Sequence, residues 1–275
     1  MKETVLITGG SGLLAINWAR CIKSQYKVVL GMHNRMIKVE GCKSIFLPIS
    51  SVKEIIDLVK AENCEIVIHT VAITSIEQCE NEPELAEYVN VKLAENMAIA
   101  CQYLDVSFVH ISTDQLFKGT QQFMTEDCLV SPLNIYGKTK AESEKIVLES
   151  NIRALIIRTN FYGWGLSYRK SFSDMIIGEL HKERSIRLFK DVFYTPILID
   201  TLVKIVHDLI KMKLSGVYNI VGNDRISKYD FGLKVAKIFS LDMSLVESGS
   251  LSDRKDLITR PLDMSLSNKK INEIC

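Results

Sequence analysis

The chain has 275 residues, 47% hydrophobic and 24% charged, enough to bury a sizeable core as one large domain or two small ones. Its 34 basic and 33 acidic residues leave a formal net charge of +1, so no global field favours nucleic acid or an anionic membrane. Seven cysteines, scattered at Cys21, Cys42, Cys64, Cys79, Cys101, Cys128 and Cys275, make neither a metal-type pairing nor a compact disulfide framework, which points to a reducing cytoplasm.

The opening MKETVLITGG runs directly into a strand and a glycine turn, too short an apolar run for a signal peptide, and no stretch of about 18 apolar residues could span a bilayer. Residues 4 to 8 (TVLIT) predict a strand, and Leu13 to Ser24 a helix. Further apolar runs follow at 27 to 30, 44 to 47, 65 to 68, 107 to 111 and 154 to 157, separated by helix-length stretches such as 52 to 61 and 84 to 103. That alternation predicts an α/β fold, a doubly wound parallel sheet whose strands are apolar throughout because helices cover both faces. Beyond residue 160 the regularity fades. A helix is expected from an N-cap at Asp200, a strand at 217 to 221, and another helix from Ser227, where Ser-x-x-Asp resembles a capping box. The expected division is a dinucleotide-binding Rossmann domain over 1–160, with strand and helix elements returning near 195–221, and a smaller, mainly substrate-binding C-terminal lobe over 161–275.

ITGGSGLLA links the first strand to the first helix. A dinucleotide site needs a tight turn with positive φ, a position without Cβ beside the pyrophosphate, and a small residue where helix meets strand. Gly9 or Gly10, Gly12 and Ala15 meet those needs, and the helix N-terminus behind them offers free N–H donors. The candidate phosphate contacts are Gly9, Ser11, Gly12 and Leu13. An NAD site usually carries an acidic residue about 20 residues further on. Between Glu3 and Glu40 there is none, and the second strand ends GMHNR, so Asn34 and Arg35 would meet the ribose and a 2′-phosphate. NADP(H) is favoured, with NAD(H) still open.

In SPLNIYGKTKAESEK, Tyr136 and Lys140 stand four apart, on one helix face with Cβ atoms about 5 to 6 Å apart. A free phenol titrates near 10, and a neighbouring ammonium together with the positive nicotinamide of an oxidised cofactor would lower that value toward neutrality, which suits proton transfer. His69 and His110 lie in or beside apolar strands without ligand spacing and are expected as packed, hydrogen-bonded sheet residues; no metal site is expected.

Together TGGSGLLA, ISTDQLF, PLNIYGKTKAESE and RPLDMSLSNKK resemble the extended short-chain dehydrogenase/reductases, most closely the dTDP-4-dehydrorhamnose reductase family, from Val5 to about Lys270. The resemblance implies Tyr136 as proton donor, Lys140 as its partner and grip on the nicotinamide ribose, and Thr113 as the hydroxyl that orients a ketone oxygen, with Ser112 beside it. It implies Val71 and Ala72 as backbone contacts to the cofactor, Asn160 and Phe161 near the nicotinamide, Asn90 near the site, and Trp164 and Arg260 in a sugar-nucleotide pocket. Gln115 and Lys118 depart from the Tyr and Asp of the family. LPISS around Pro48 replaces an acidic residue near the adenine, leaving contacts there to backbone and Ser50. The implied activity is NADPH-dependent reduction of a 4-keto-6-deoxy sugar nucleotide by a cytoplasmic protein, and a homodimer is compatible with it. An epimerase or dehydratase of the same superfamily and a catalytically silent NADP-binding regulatory subunit remain as alternatives.

Overall fold

The computed structural model describes residues 2–47 and 51–274. Among these, the apolar runs form one seven-stranded sheet: β1 (Thr4–Thr8), β2 (Lys27–Met32), β3 (Cys42–Phe46), β4 (Ile66–His69), β5 (Ser107–Ile111), β6 (Leu155–Arg158) and β7 (Gly216–Asn219). Their spatial order is β3-β2-β1-β4-β5-β6-β7, with every neighbouring pair parallel. All five residues of β1 are buried, as a central strand covered on both faces requires. The strand order reverses between β1 and β4, which opens a crevice above their C-terminal ends, where ligands of such sheets bind.

Two apolar layers sandwich the sheet. On one face Trp18 and Ala19 of the helix Leu13–Ile22 pack with Leu202, Val203 and Val206 of the helix Ile199–Lys211. On the other, Ile55 and Val59 of Val52–Ala61 meet Met97 and Cys101 of Leu93–Leu104. A third cluster, including Ile176, Tyr194, Phe231 and Val246, forms the core of the C-terminal elements.

Three differences from the expected elements have physical causes. The helix expected over 84–103 is interrupted: Pro83 opens a short helix at Pro83–Glu87, a π-turn covers Tyr88–Lys92, and the regular helix begins at Leu93. Asp200 is not an N-cap. The helix starts at Ile199 behind Leu198, and the Asp200 carboxylate accepts from Cys21 Sγ instead. A helix unmarked in the sequence reading, Phe172–Leu180, is held by a capping box between Ser171 and Asp174. Ser227 does cap its helix, accepting from Asp230 N at 2.9 Å.

Candidate active site

The glycine turn crosses the top of β1. Gly9 has φ +67°, and a Cβ there would come within 2.9 Å of Thr70 Oγ1. A Cβ on Gly12 would stand 3.0 Å from Gly9 O. Gly12 is also the N-cap of Leu13–Ile22, with no side-chain cap and no acidic residue in the first turn. The first-turn N–H groups are therefore left for an anion, and the cradle of Gly9, Ser11, Gly12 and Leu13 fits a pyrophosphate. Val71 and Ala72 lie half-buried on the loop that follows β4. Asn90 fastens that loop: its Oδ1 accepts from Ile73 N at 2.7 Å, and its Nδ2 reaches Ile73 O and Thr139 Oγ1. The π-turn thus braces the loop after β4 against the helix that carries Tyr136 and Lys140.

That helix, Ile135–Ser150, begins at Asn134, whose Oδ1 accepts from Gly137 N at 2.9 Å. A Cβ at Gly137 would come within 2.5 Å of Gln115 O and 2.8 Å of Pro132 Cβ. Only glycine lets the first turn lie against the loop after β5, and this contact brings Tyr136 to Thr113. The Tyr136 phenol is buried and faces the Thr113 side chain. Thr113 Oγ1 in turn donates to Asp114 Oδ1 at 3.3 Å, and Asp114 Oδ2 accepts from Asn160 Nδ2 at 2.5 Å. Burial pushes the phenol up to about 12; the Thr113 side chain opposes this, and the Asp114 charge adds to it. With the protein's own groups alone the phenol is raised, and Lys140 is not among the groups that shift it.

Lys140 is 2% exposed, and its ammonium turns to the sheet. Nζ donates to Ile111 O at 2.8 Å and lies 3.1 Å from His110 Nε2. Burial lowers its pKa to about 8, against the pull of Glu144. Glu144 is itself held by Arg158 of β6. His69 bonds Thr8 Oγ1 and His110 contacts Ser143 Oγ, so both are hydrogen-bonded sheet residues.

Three groups that the sequence left unmarked complete this centre. Asp114 is buried, and burial raises its carboxyl to about 6 despite Asn160 and Lys228. The Lys228 ammonium lies 3.4 Å from the centroid of the Tyr194 ring, and burial lowers its pKa to about 8 against the Asp114 charge. Tyr194 is buried, and its hydroxyl, with Ser112 Oγ, Gln115 Oε1 and Thr159 Oγ1, has no hydrogen-bond partner among the described residues. Such groups cost free energy when buried without a partner.

The remaining candidates are spread more widely. Asn34 is exposed; the Arg35 guanidinium stacks 4.3 Å from the Tyr168 ring centroid, and Tyr168 Oη donates to Ser11 O at 2.9 Å. The loop bearing Trp164 and Tyr168 is thereby folded over the glycine turn. Phe161 pairs with Ile197 and packs on the sheet core. Trp164, 55% exposed, meets Phe239 edge-on and lines a cavity of about 590 Å³ to which Thr113, Tyr136 and Lys140 do not contribute. Arg260 is engaged by Glu77 and by Ile258 O. Pro48 and Ser50 lie outside the described residues. Among the described residues no cluster of three or more His, Cys, Asp or Glu could hold a metal ion.

A doubly wound sheet with a glycine turn at its switch point and a Thr-Tyr-Lys group at its crevice defines the short-chain dehydrogenase/reductase class. Within it the chain belongs to the RmlD substrate binding domain family, which matches residues 1–275. A probable low-salt glycan biosynthesis reductase, Agl14, of Haloferax volcanii is 27% identical over 259 residues, 93% of this chain and 86% of its own. The methionine adenosyltransferase 2 subunit beta of Xenopus laevis is 28% identical over 251 residues, 88% of this chain and 74% of its own. The crystal structure of dTDP-4-dehydrorhamnose reductase from Bacillus anthracis in complex with NADP superposes with a TM-score of 0.87 at 25% identity, covering 100% of this chain and 93% of that one.

Proposed function

We propose that the protein is an NADPH-dependent reductase of a nucleotide-linked 4-keto-6-deoxy sugar. The observation that carries this reading is the buried Tyr136 phenol facing Thr113, whose hydroxyl donates to Asp114, at the crevice beside a glycine cradle that fits a pyrophosphate. Gly9, Ser11, Gly12 and Leu13 would hold the phosphates, Arg35 a 2′-phosphate, and Lys140 the ribose next to the nicotinamide. The nicotinamide, when bound, supplies the hydride.

The rest of the work falls to the chain. A phenol held near 12 is protonated throughout the neutral range, so Tyr136 is an acid ready to deliver a proton to a ketone oxygen as that oxygen becomes an alkoxide. Thr113 Oγ1, beside the phenol, would turn its one hydrogen from Asp114 to the same oxygen and so orient it. Asp114 fixes the Thr113 hydroxyl and holds Asn160 beside it. Epimerases and dehydratases of this superfamily need a further acid or base aimed at a sugar carbon, and no Glu or Cys flanks Thr113 in STDQLF.

The likeness to a methionine adenosyltransferase subunit beta supports a second reading, a cofactor-binding subunit of a larger enzyme. Incubation of the protein with NADPH or NADH and a panel of nucleotide-linked 4-keto sugars, following absorbance loss and product stereochemistry, separates the readings. Turnover with net NADPH consumption supports the reductase. Isomerised product without consumption selects an epimerase, and tight cofactor binding without turnover selects the subunit.

A further inference from the structure

Lys140 carries three N–H groups, and the protein occupies two of them. One goes to a backbone carbonyl, Ile111 O, at 2.8 Å, and one points to His110 Nε2 at 3.1 Å. We propose that His110 is a positioning residue: its neutral imidazole, through a bare Nε2, holds the Lys140 ammonium so that a single N–H is left for the cofactor ribose. The inference rests on the reductase reading for its purpose, but its geometry belongs to the chain alone.

The ammonium decides between the two tautomers of the His110 ring. Ser143 Oγ, 3.0 Å from the same Nε2, gives its one hydrogen to Lys140 O at 2.8 Å and so could accept from a protonated Nε2. The ammonium at 3.1 Å needs instead a bare Nε2, with the ring proton on Nδ1. Nδ1 has no partner among the described residues. A lone pair facing a buried ammonium is a charge-assisted bond, worth more than the cost of one unpartnered N–H, so the ammonium selects this tautomer. The ring cannot charge: burial, the Lys140 ammonium and His69 all hold it well below its ordinary value. The titratable and charged groups around Lys140 are His110 on β5, His69 stacked beside it on β4 at 5.6 Å, Tyr136 and Glu144 on its own helix, and Arg158 on β6, which takes the Glu144 charge.

Two measurements on the full chain test this without substrate or turnover, so their failure is distinct from failure of the reductase reading. Nitrogen-15 spectra of the histidine-labelled native protein should show His110 with a protonated Nδ1 and a bare, hydrogen-bonded Nε2 at neutral pH; a protonated Nε2 overturns the proposal. Carbon-13 labelling at lysine Cε then follows Lys140, its signal assigned by its loss in Lys140→Met. His110→Phe should lower the Lys140 midpoint by about one to two pH units, because the charged form loses an acceptor. His110→Gln, whose amide oxygen can accept, should restore most of it, and Ser143→Ala should leave it in place. An unchanged midpoint in His110→Phe, or a Gln variant that behaves like Phe, also overturns it.

Discussion

Arg158 on β6 grips Glu144 on the helix of Tyr136 and Lys140 through hydrogen bonds of 3.0, 3.1 and 2.7 Å, with both side chains buried. The pair pins that helix to the sheet between Lys140 and the helix end. Removing one partner leaves the other charge uncompensated in a medium that solvates it poorly. Glu144→Ala should therefore cost about 3–5 kcal/mol in urea unfolding, and the double change Glu144→Leu with Arg158→Met should cost much less. Equal losses in the single and double variants would show that packing, not the unpaired charge, sets the cost.

Asp114 predicts a pH dependence of stability. Its carboxyl is raised from 3.8 to about 6, chiefly by burial. Folded Asp114 binds more protons than unfolded Asp114 between those values. Its favourable contribution is full below the unfolded value and is lost as pH rises through about 6. Asp114→Asn removes this titration, so its stability relative to the native chain should improve by on the order of 3 kcal/mol from about pH 4 to about pH 7. Urea melts across that range check the sign, and a pH-independent difference would refute the assignment.

On the proposed reading Arg35 would carry a preference for NADPH. Its guanidinium stacks on Tyr168, which also donates to the backbone of the glycine turn, so the group is already held beside the cradle. Arg35→Ala should weaken NADPH binding by about 10- to 100-fold, the range of one or two charge-assisted hydrogen bonds, and leave NADH within about threefold. Fluorescence titration with both cofactors decides. Equal weakening of the two would mean that Arg35 serves the adenine or the loop and not a 2′-phosphate.

Much of the fold is legible in the sequence because parallel strands buried on both faces read as unbroken apolar runs. The runs at 4–8 and 107–111 and the helix at 52–61 coincide with the observed elements. The interrupted helix was not legible, because the π-turn depends on Asn90 finding Ile73 and Thr139, contacts across 17 and 49 residues. At the site, local spacing marks Tyr136 and Lys140, and the family resemblance marks Thr113, but neither tells where Lys140 turns, since its acceptors lie on β5 about 30 residues away. Asp114 stands in the ISTDQLF segment itself, and its proximity to Thr113 is the signal that could have found it. Lys228 and Tyr194 carry no such signal, for only the packing of the C-terminal elements brings them to Asp114. The fold of the Tyr168 loop onto Ser11 spans 157 residues and is likewise a tertiary fact.

On the proposed reading the Tyr136 phenol is the acid that completes carbonyl reduction. Single-turnover stopped-flow measurement of NADPH oxidation with a nucleotide-linked 4-keto sugar, comparing the native chain with Tyr136→Phe, tests this most directly. The variant should oxidise NADPH about 10²- to 10⁴-fold more slowly while binding the cofactor within a few-fold of the native affinity. Native-like single turnover in Tyr136→Phe would contradict the account and move the proton donor elsewhere in the crevice.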